Sequence, residues 1–147
     1  MNIRQLYYSL IIIACTSHTA LRTAALDFGQ LVAQSPNLNA AFTTNVLQSS
    51  TPVVVKFFMK GCGPCNLMGP IFDKAADLLN GKVTLIGINL KLYPSVSSRY
   101  GIRSAPTFIY FKNGVEVNRH IGPNNKNTGQ RWTPATLADN ILSVFGL

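Results

Sequence analysis

Val53-Val54-Val55-Lys56-Phe57-Phe58-Met59-Lys60-Gly61-Cys62-Gly63-Pro64-Cys65 is the stretch that decides the fold. Its first six residues form a β-branched and aromatic run of strand length, the pattern of a central strand buried on both faces, and Pro52 opens it. After the cysteines, Leu67, Met68, Ile71, Phe72, Ala75, Leu78 and Leu79 recur at three-to-four spacing, with Asn66, Asp73, Lys74 and Asp77 between them. That spacing predicts an amphipathic helix, interrupted by a kink at Pro70 and ended by Gly81. Val83 to Asn89 reads as a second buried strand, so the unit predicts a parallel pair joined by a right-handed crossover.

Downstream, Pro94 to Tyr100 predicts a short helix. Pro106 to Phe111 and Val115 to His120 flank Lys112-Asn113-Gly114, and Asn-Gly between two such runs predicts an antiparallel hairpin. A last helix starts at Pro134 or Thr136 and presents Leu137, Ile141, Leu142 and Phe145 on one face. Upstream, Asn37 caps a helix that continues through Val46-Leu47 to about Ser49-Ser50. The expected class is α/β, a central mixed sheet flanked by helices on both faces. One domain is expected over 37–147, with 26–36 as a lead-in.

Residues 1–25 differ from the rest. Arg4 is followed by an almost wholly apolar run from Leu6 to Cys15, and no acid occurs before Asp27, which is the pattern of a signal peptide. The run is shorter than the roughly 20 residues that span a bilayer. Two processing routes fit. Ile12-Ile13-Ala14-Cys15 resembles a lipobox, whose cysteine becomes lipidated and tethers the protein to a membrane, whereas Thr23-Ala24-Ala25 suits ordinary cleavage before Leu26. Either route gives an exported protein, in the bacterial periplasm or held at its membrane as a lipoprotein; organelle import is the lesser alternative. The chain carries 13 Lys and Arg against 5 Asp and Glu, but the basic residues are scattered from Lys56 to Arg131 without a run. A solvated basic surface fits better than a nucleic-acid partner.

The three cysteines are Cys15, Cys62 and Cys65, so the mature chain has one thiol pair and no disulfide framework. Cys62 falls at a helix N-terminus, where unpaired N–H groups and the helix dipole favour a thiolate, and the thiolate is the species that attacks a disulfide. Cys65, one turn inward, is placed to resolve the mixed disulfide. The competing readings are a zinc half-site and a structural disulfide. Zinc needs two further ligands, and no second Cys-x-x-Cys or His-x-His exists. A bridge across so short a loop restrains little of the unfolded chain. His120 is expected as an exposed strand-end residue rather than a base.

With Cys62-Gly63-Pro64-Cys65, Pro70, Ser104-Ala105-Pro106-Thr107, Lys112-Asn113-Gly114 and Gly122 in that order, the segment from Pro52 to about Gly122 resembles thioredoxin. The resemblance implies the thioredoxin fold and a thiol-disulfide oxidoreductase that reduces or exchanges disulfides in other proteins. It implies Cys62 as nucleophile, Cys65 as resolving thiol, and no bound cofactor or metal. It also implies a cis Pro106 facing the cysteines and a substrate groove lined by Gly63, Pro64, Ala105, Pro106 and Gly122. Partners would be proteins with disulfides or thiols and a redox protein that recycles the site; a monomer is expected.

Two positions depart from the family pattern. Lys56 stands where thioredoxins usually hold a buried aspartate. A lysine there either favours the thiolate and makes a stronger oxidant, or snorkels outward without effect. Gly61 stands where the family commonly has a tryptophan, which widens the approach to Cys62. The only tryptophan, Trp132, lies in the polar stretch from Lys126 to Thr133, expected as a surface loop with partner contact as the alternative. Two other functions remain open: a binding module whose cysteines stay disulfide-bonded, and an exported dithiol oxidase or isomerase.

Overall fold

The computed structural model of the chain describes residues 24–147. Five strands form one sheet in the order β1-β3-β2-β4-β5: β1 Leu26–Asp27, β2 Val53–Phe58, β3 Thr84–Asn89, β4 Thr107–Lys112 and β5 Val115–Ile121. β1 and β2 run parallel to β3, while β4 runs antiparallel to both β2 and β5. The helices are α1 Phe28–Ala33, α2 Leu38–Phe42, α3 Gly63–Leu79, α4 Pro94–Arg99 and α5 Pro134–Phe145. The family resemblance and the mixed sheet agree on the α/β fold.

Period-two alternation along β2 divides the core. Val54 packs with Phe72, Leu79, Phe108 and Ile141 beneath α3 and α5, whereas Val53, Val55 and Phe57 pack with Phe28, Phe42 and Ile88 beneath α1, α2 and α4. Both faces of β2 are therefore buried, which is why its sequence reads as a continuous apolar run.

Several local signals act as expected. The Asn37 side chain accepts from the Ala40 N–H at 2.9 Å, and Thr133 caps α5 through a reciprocal bond with Thr136. Pro70, expected to interrupt the helix, instead lies inside α3, which runs continuously from Gly63 to Leu79. Beyond Phe42, α2 widens into a π-helical turn over Thr43–Leu47, closed by the Gln48 N–H donating to the Thr43 carbonyl at 2.8 Å.

The stretch 26–36 is no lead-in. Leu26 and Asp27 pair in register with Ile86 and Gly87, and Phe28 and Leu31 are buried in the core. The domain therefore begins at β1, ahead of the boundary at residue 37. Residues 1–23, including Cys15, lie outside the described residues. Among the described residues, no helix is long and apolar enough to cross a membrane.

Candidate active site

The end of β2 is followed by a tight turn in which the Cys62 N–H donates to the Met59 carbonyl at 3.4 Å, with Gly61 at φ +82°. That left-handed backbone favours glycine. The turn sets Cys62 as the N-cap of α3, and Pro64 occupies the first helical turn, where a missing N–H costs nothing. The Cys65 N–H donates to Cys62 Sγ at 3.2 Å, and the Asn66 N–H donates to the Cys62 carbonyl at 3.0 Å. Cys62 and Cys65 are joined as a disulfide with their Cα atoms 5.2 Å apart. Cys62 is half-buried, whereas Cys65 is 4% exposed, so Cys62 is the more accessible of the two.

Across from the helix terminus, the Ala105–Pro106 peptide is cis, and Cys62 Sγ lies 3.7 Å from the Ala105 carbonyl oxygen. Gly122, at φ +94°, donates its N–H to the Pro106 carbonyl at 2.9 Å. Gly63 and Pro64 are exposed, and Ala105 and Gly122 are partly exposed around the sulfur. Residues far apart in sequence thus share one small-residue surface.

Lys56 does not snorkel outward. The pleat of β2 places it on the same face as Val54, under α3, where it is 6% exposed. Its Nζ lies 4.5 Å from the Phe72 ring centre and 5.5 Å from that of Phe58. It lines a cavity of about 480 Å³ together with Cys65, Asn66, Phe72, Asp73 and Gly87. Burial lowers the ammonium's pKa below its ordinary value, and Asp73 pulls it back up.

His120 and Trp132 also correct their expected exposure, because both are buried. The Trp132 Nε1–H donates to His120 Nε2 at 3.3 Å, and the same nitrogen stands 3.1 Å from the Gly122 carbonyl. The stretch after Gly122 folds back along the sheet edge, with Asn124 bridging to Arg131, and carries Trp132 over His120. A single tryptophan in an otherwise polar insertion was the available signal. Its large apolar surface favours burial even when its neighbours are polar.

The thioredoxin family model matches residues 34–133, and this span carries the disulfide, the cis proline and Gly122. The chain belongs to the thioredoxin family. It is 40% identical to a thioredoxin of Rickettsia felis over 94 residues, covering 64% of this chain and 90% of that protein. It is 41% identical to thioredoxin 1 of Synechococcus elongatus over 90 residues, covering 61% and 84%, and 39% identical to thioredoxin 1 of Nostoc over 90 residues, also covering 61% and 84%. This thioredoxin-family chain is a thiol-disulfide oxidoreductase. Membership in the family implies, in general terms, protein disulfides as substrates and a reductase as partner.

Proposed function

We propose that Cys62 is the nucleophile and Cys65 the resolving thiol of a cycle that reduces disulfides in exported proteins. The Cys62 thiolate attacks one sulfur of the substrate disulfide, forming a mixed disulfide and releasing one substrate thiolate. Cys65, deprotonated, then attacks Cys62 Sγ, forming the Cys62–Cys65 disulfide and releasing the second substrate thiolate. Two electrons pass to the substrate, whose thiolates take up two protons. The observation that carries this reading is the Cys65 N–H donating to Cys62 Sγ at 3.2 Å on the first turn of a 17-residue helix, a geometry that favours negative charge on that sulfur. Gly63, Pro64, Ala105, Pro106 and Gly122 would line the substrate groove. Cys65→Ser should accumulate the mixed disulfide, and Cys62→Ser should abolish turnover of a disulfide-bonded protein. If the double serine variant still supports the biological role, the binding-module reading replaces this one.

Lys56 supports a second reading of direction. A cation beside Cys65 stabilises a thiolate and so the reduced form, which raises the potential towards an oxidant or isomerase. Equilibration in glutathione buffers separates the two: about −270 mV marks a reductant and about −120 mV an oxidant. We also read 1–25 as a leader that directs the chain to the periplasm, either cleaved before Leu26 or lipidated at Cys15, and the mature domain as a monomer. A reductant in that compartment draws its electrons from across the membrane. Mass spectrometry of the mature N-terminus and sedimentation of the purified domain test these points.

A further inference from the structure

Three loops meet at the end of the sheet that holds Cys62. The loop after β2 carries Lys60, the loop after β3 carries Lys91, and the loop before β4 carries Arg103. The Leu90 N–H donates to the Phe58 carbonyl at 2.9 Å, which joins the first two loops, and the 3.7 Å approach of Cys62 Sγ to the Ala105 carbonyl joins the first to the third. Lys60, Lys91 and Arg103 are all exposed.

None of these loops carries an acid. The five carboxylates of the chain are Asp27, Asp73, Asp77, Glu116 and Asp139. Asp27 and Asp73 line the cavity behind Cys65, Asp77 lies one turn further along α3, Asp139 is on α5, and Glu116 is near the start of β5. The one salt bridge among the described residues joins Glu116 to Arg119 at 2.8 Å and involves none of the three cations. The three loops at the Cys62 end of the sheet therefore carry exposed cations, no acid and, among the described residues, no ion pair.

We propose that Lys60, Lys91 and Arg103 form a basic rim that selects partner proteins whose exchanging disulfide is flanked by carboxylates. The proposal rests on the disulfide-exchange reading and names its substrate class. Exposed rim charges act mainly by steering encounter, so they change association rates more than bound-state energy, and salt screens them over roughly 8 Å at physiological ionic strength. A partner with basic flanks meets repulsion at the same rim.

The test uses the reduced domain and two reporter peptides of equal length, each closed by one disulfide, one flanked by glutamates and the other by lysines. The ratio of their kcat/KM values is divided by the ratio of their rates with dithiothreitol, which removes the intrinsic effect of the flanks on disulfide reactivity. The normalised ratio should favour the glutamate peptide about tenfold at low salt and fall towards one in roughly 0.5 M sodium chloride. The Lys60→Gln, Lys91→Gln, Arg103→Gln variant, checked for folding by circular dichroism, should bring the ratio towards one at low salt. A wild-type ratio of one, or a ratio that survives in the variant, overturns the rim. Absence of turnover with both peptides would instead sink the exchange reading on which the rim depends.

Discussion

The indole N–H of Trp132 donates to Nε2 of His120 at 3.3 Å, while that nitrogen also stands 3.1 Å from the Gly122 carbonyl oxygen. An indole N–H can only donate, so it is satisfied when His120 is neutral with its proton on Nδ1. Protonation would turn Nε2 into a donor towards Gly122 and leave the buried indole N–H without its acceptor. The Gly122 N–H in turn donates to the carbonyl of Pro106, so the residue whose carbonyl faces Nε2 also holds the cis proline.

Burial, helped by the nearby Lys126 charge, lowers the His120 pKa below 6.5, against hydrogen bonds to the backbone of Gly122 and Asn124 that raise it. The unfolded chain therefore binds the proton first as pH falls. Stability should be complete above about pH 6.5 and decline as pH drops towards the folded value. Trp132 is the only tryptophan, so its fluorescence should report the change with a midpoint below 6.5. In a His120→Asn variant, the thermal midpoint should lose this slope between about pH 6.5 and 5, and a retained slope would place the proton elsewhere.

Lys56 should titrate in the opposite part of the pH range. Its folded pKa is lowered, so stability rises as pH increases from that value towards 10.5. Lys56→Met removes a buried charge and keeps a long side chain over Phe72. It should leave the domain at least as stable at pH 7, abolish the alkaline rise and make the reduction potential more negative. An unchanged potential would limit Lys56 to a structural part.

Two glycines separate backbone strain from contact. A side chain at Gly61 meets no atom within 4 Å, so Gly61→Ala should cost only the left-handed penalty of about 1 kcal/mol. At Gly114, φ is +76° and a Cβ would stand 2.5 Å from the Leu47 carbonyl oxygen. Gly114→Ala should therefore lower the denaturant midpoint distinctly more than Gly61→Ala, and equal losses would refute the contact.

Phe28 tests the start of the domain. It packs edge-on against Tyr93 with ring centres 5.2 Å apart and has no exposed surface. Phe28→Ala should cost about 3 to 5 kcal/mol, measured by urea unfolding, whereas an appended lead-in would tolerate the change.

The chemistry-bearing parts of this chain are local, and local signals announce them. The apolar run from Val53, the Gly-Pro between the cysteines and the Asn-Gly turn each fix their own backbone. Lys56 was harder to read, because a strand buried on both faces shows no polar side from which to judge where a lysine points. β1 has two residues, too few for any periodicity. The burial of His120 depends on Trp132, twelve residues later, and on β5 leaving Val115, Val117 and Ile121 exposed, which inverts the usual alternation. Nonlocal packing decided those positions.

The two sulfurs of the disulfide face different surroundings. Cys62 is the more exposed and lies beside the Ala105 carbonyl, while Cys65 backs onto the chamber that reaches Asn66 and Asp73 at the exterior. A docked protein would close the front and leave the rear open. The Cys65 side of the disulfide thus keeps an opening of its own, lined by Lys56 and Asp73, when the Cys62 side is covered.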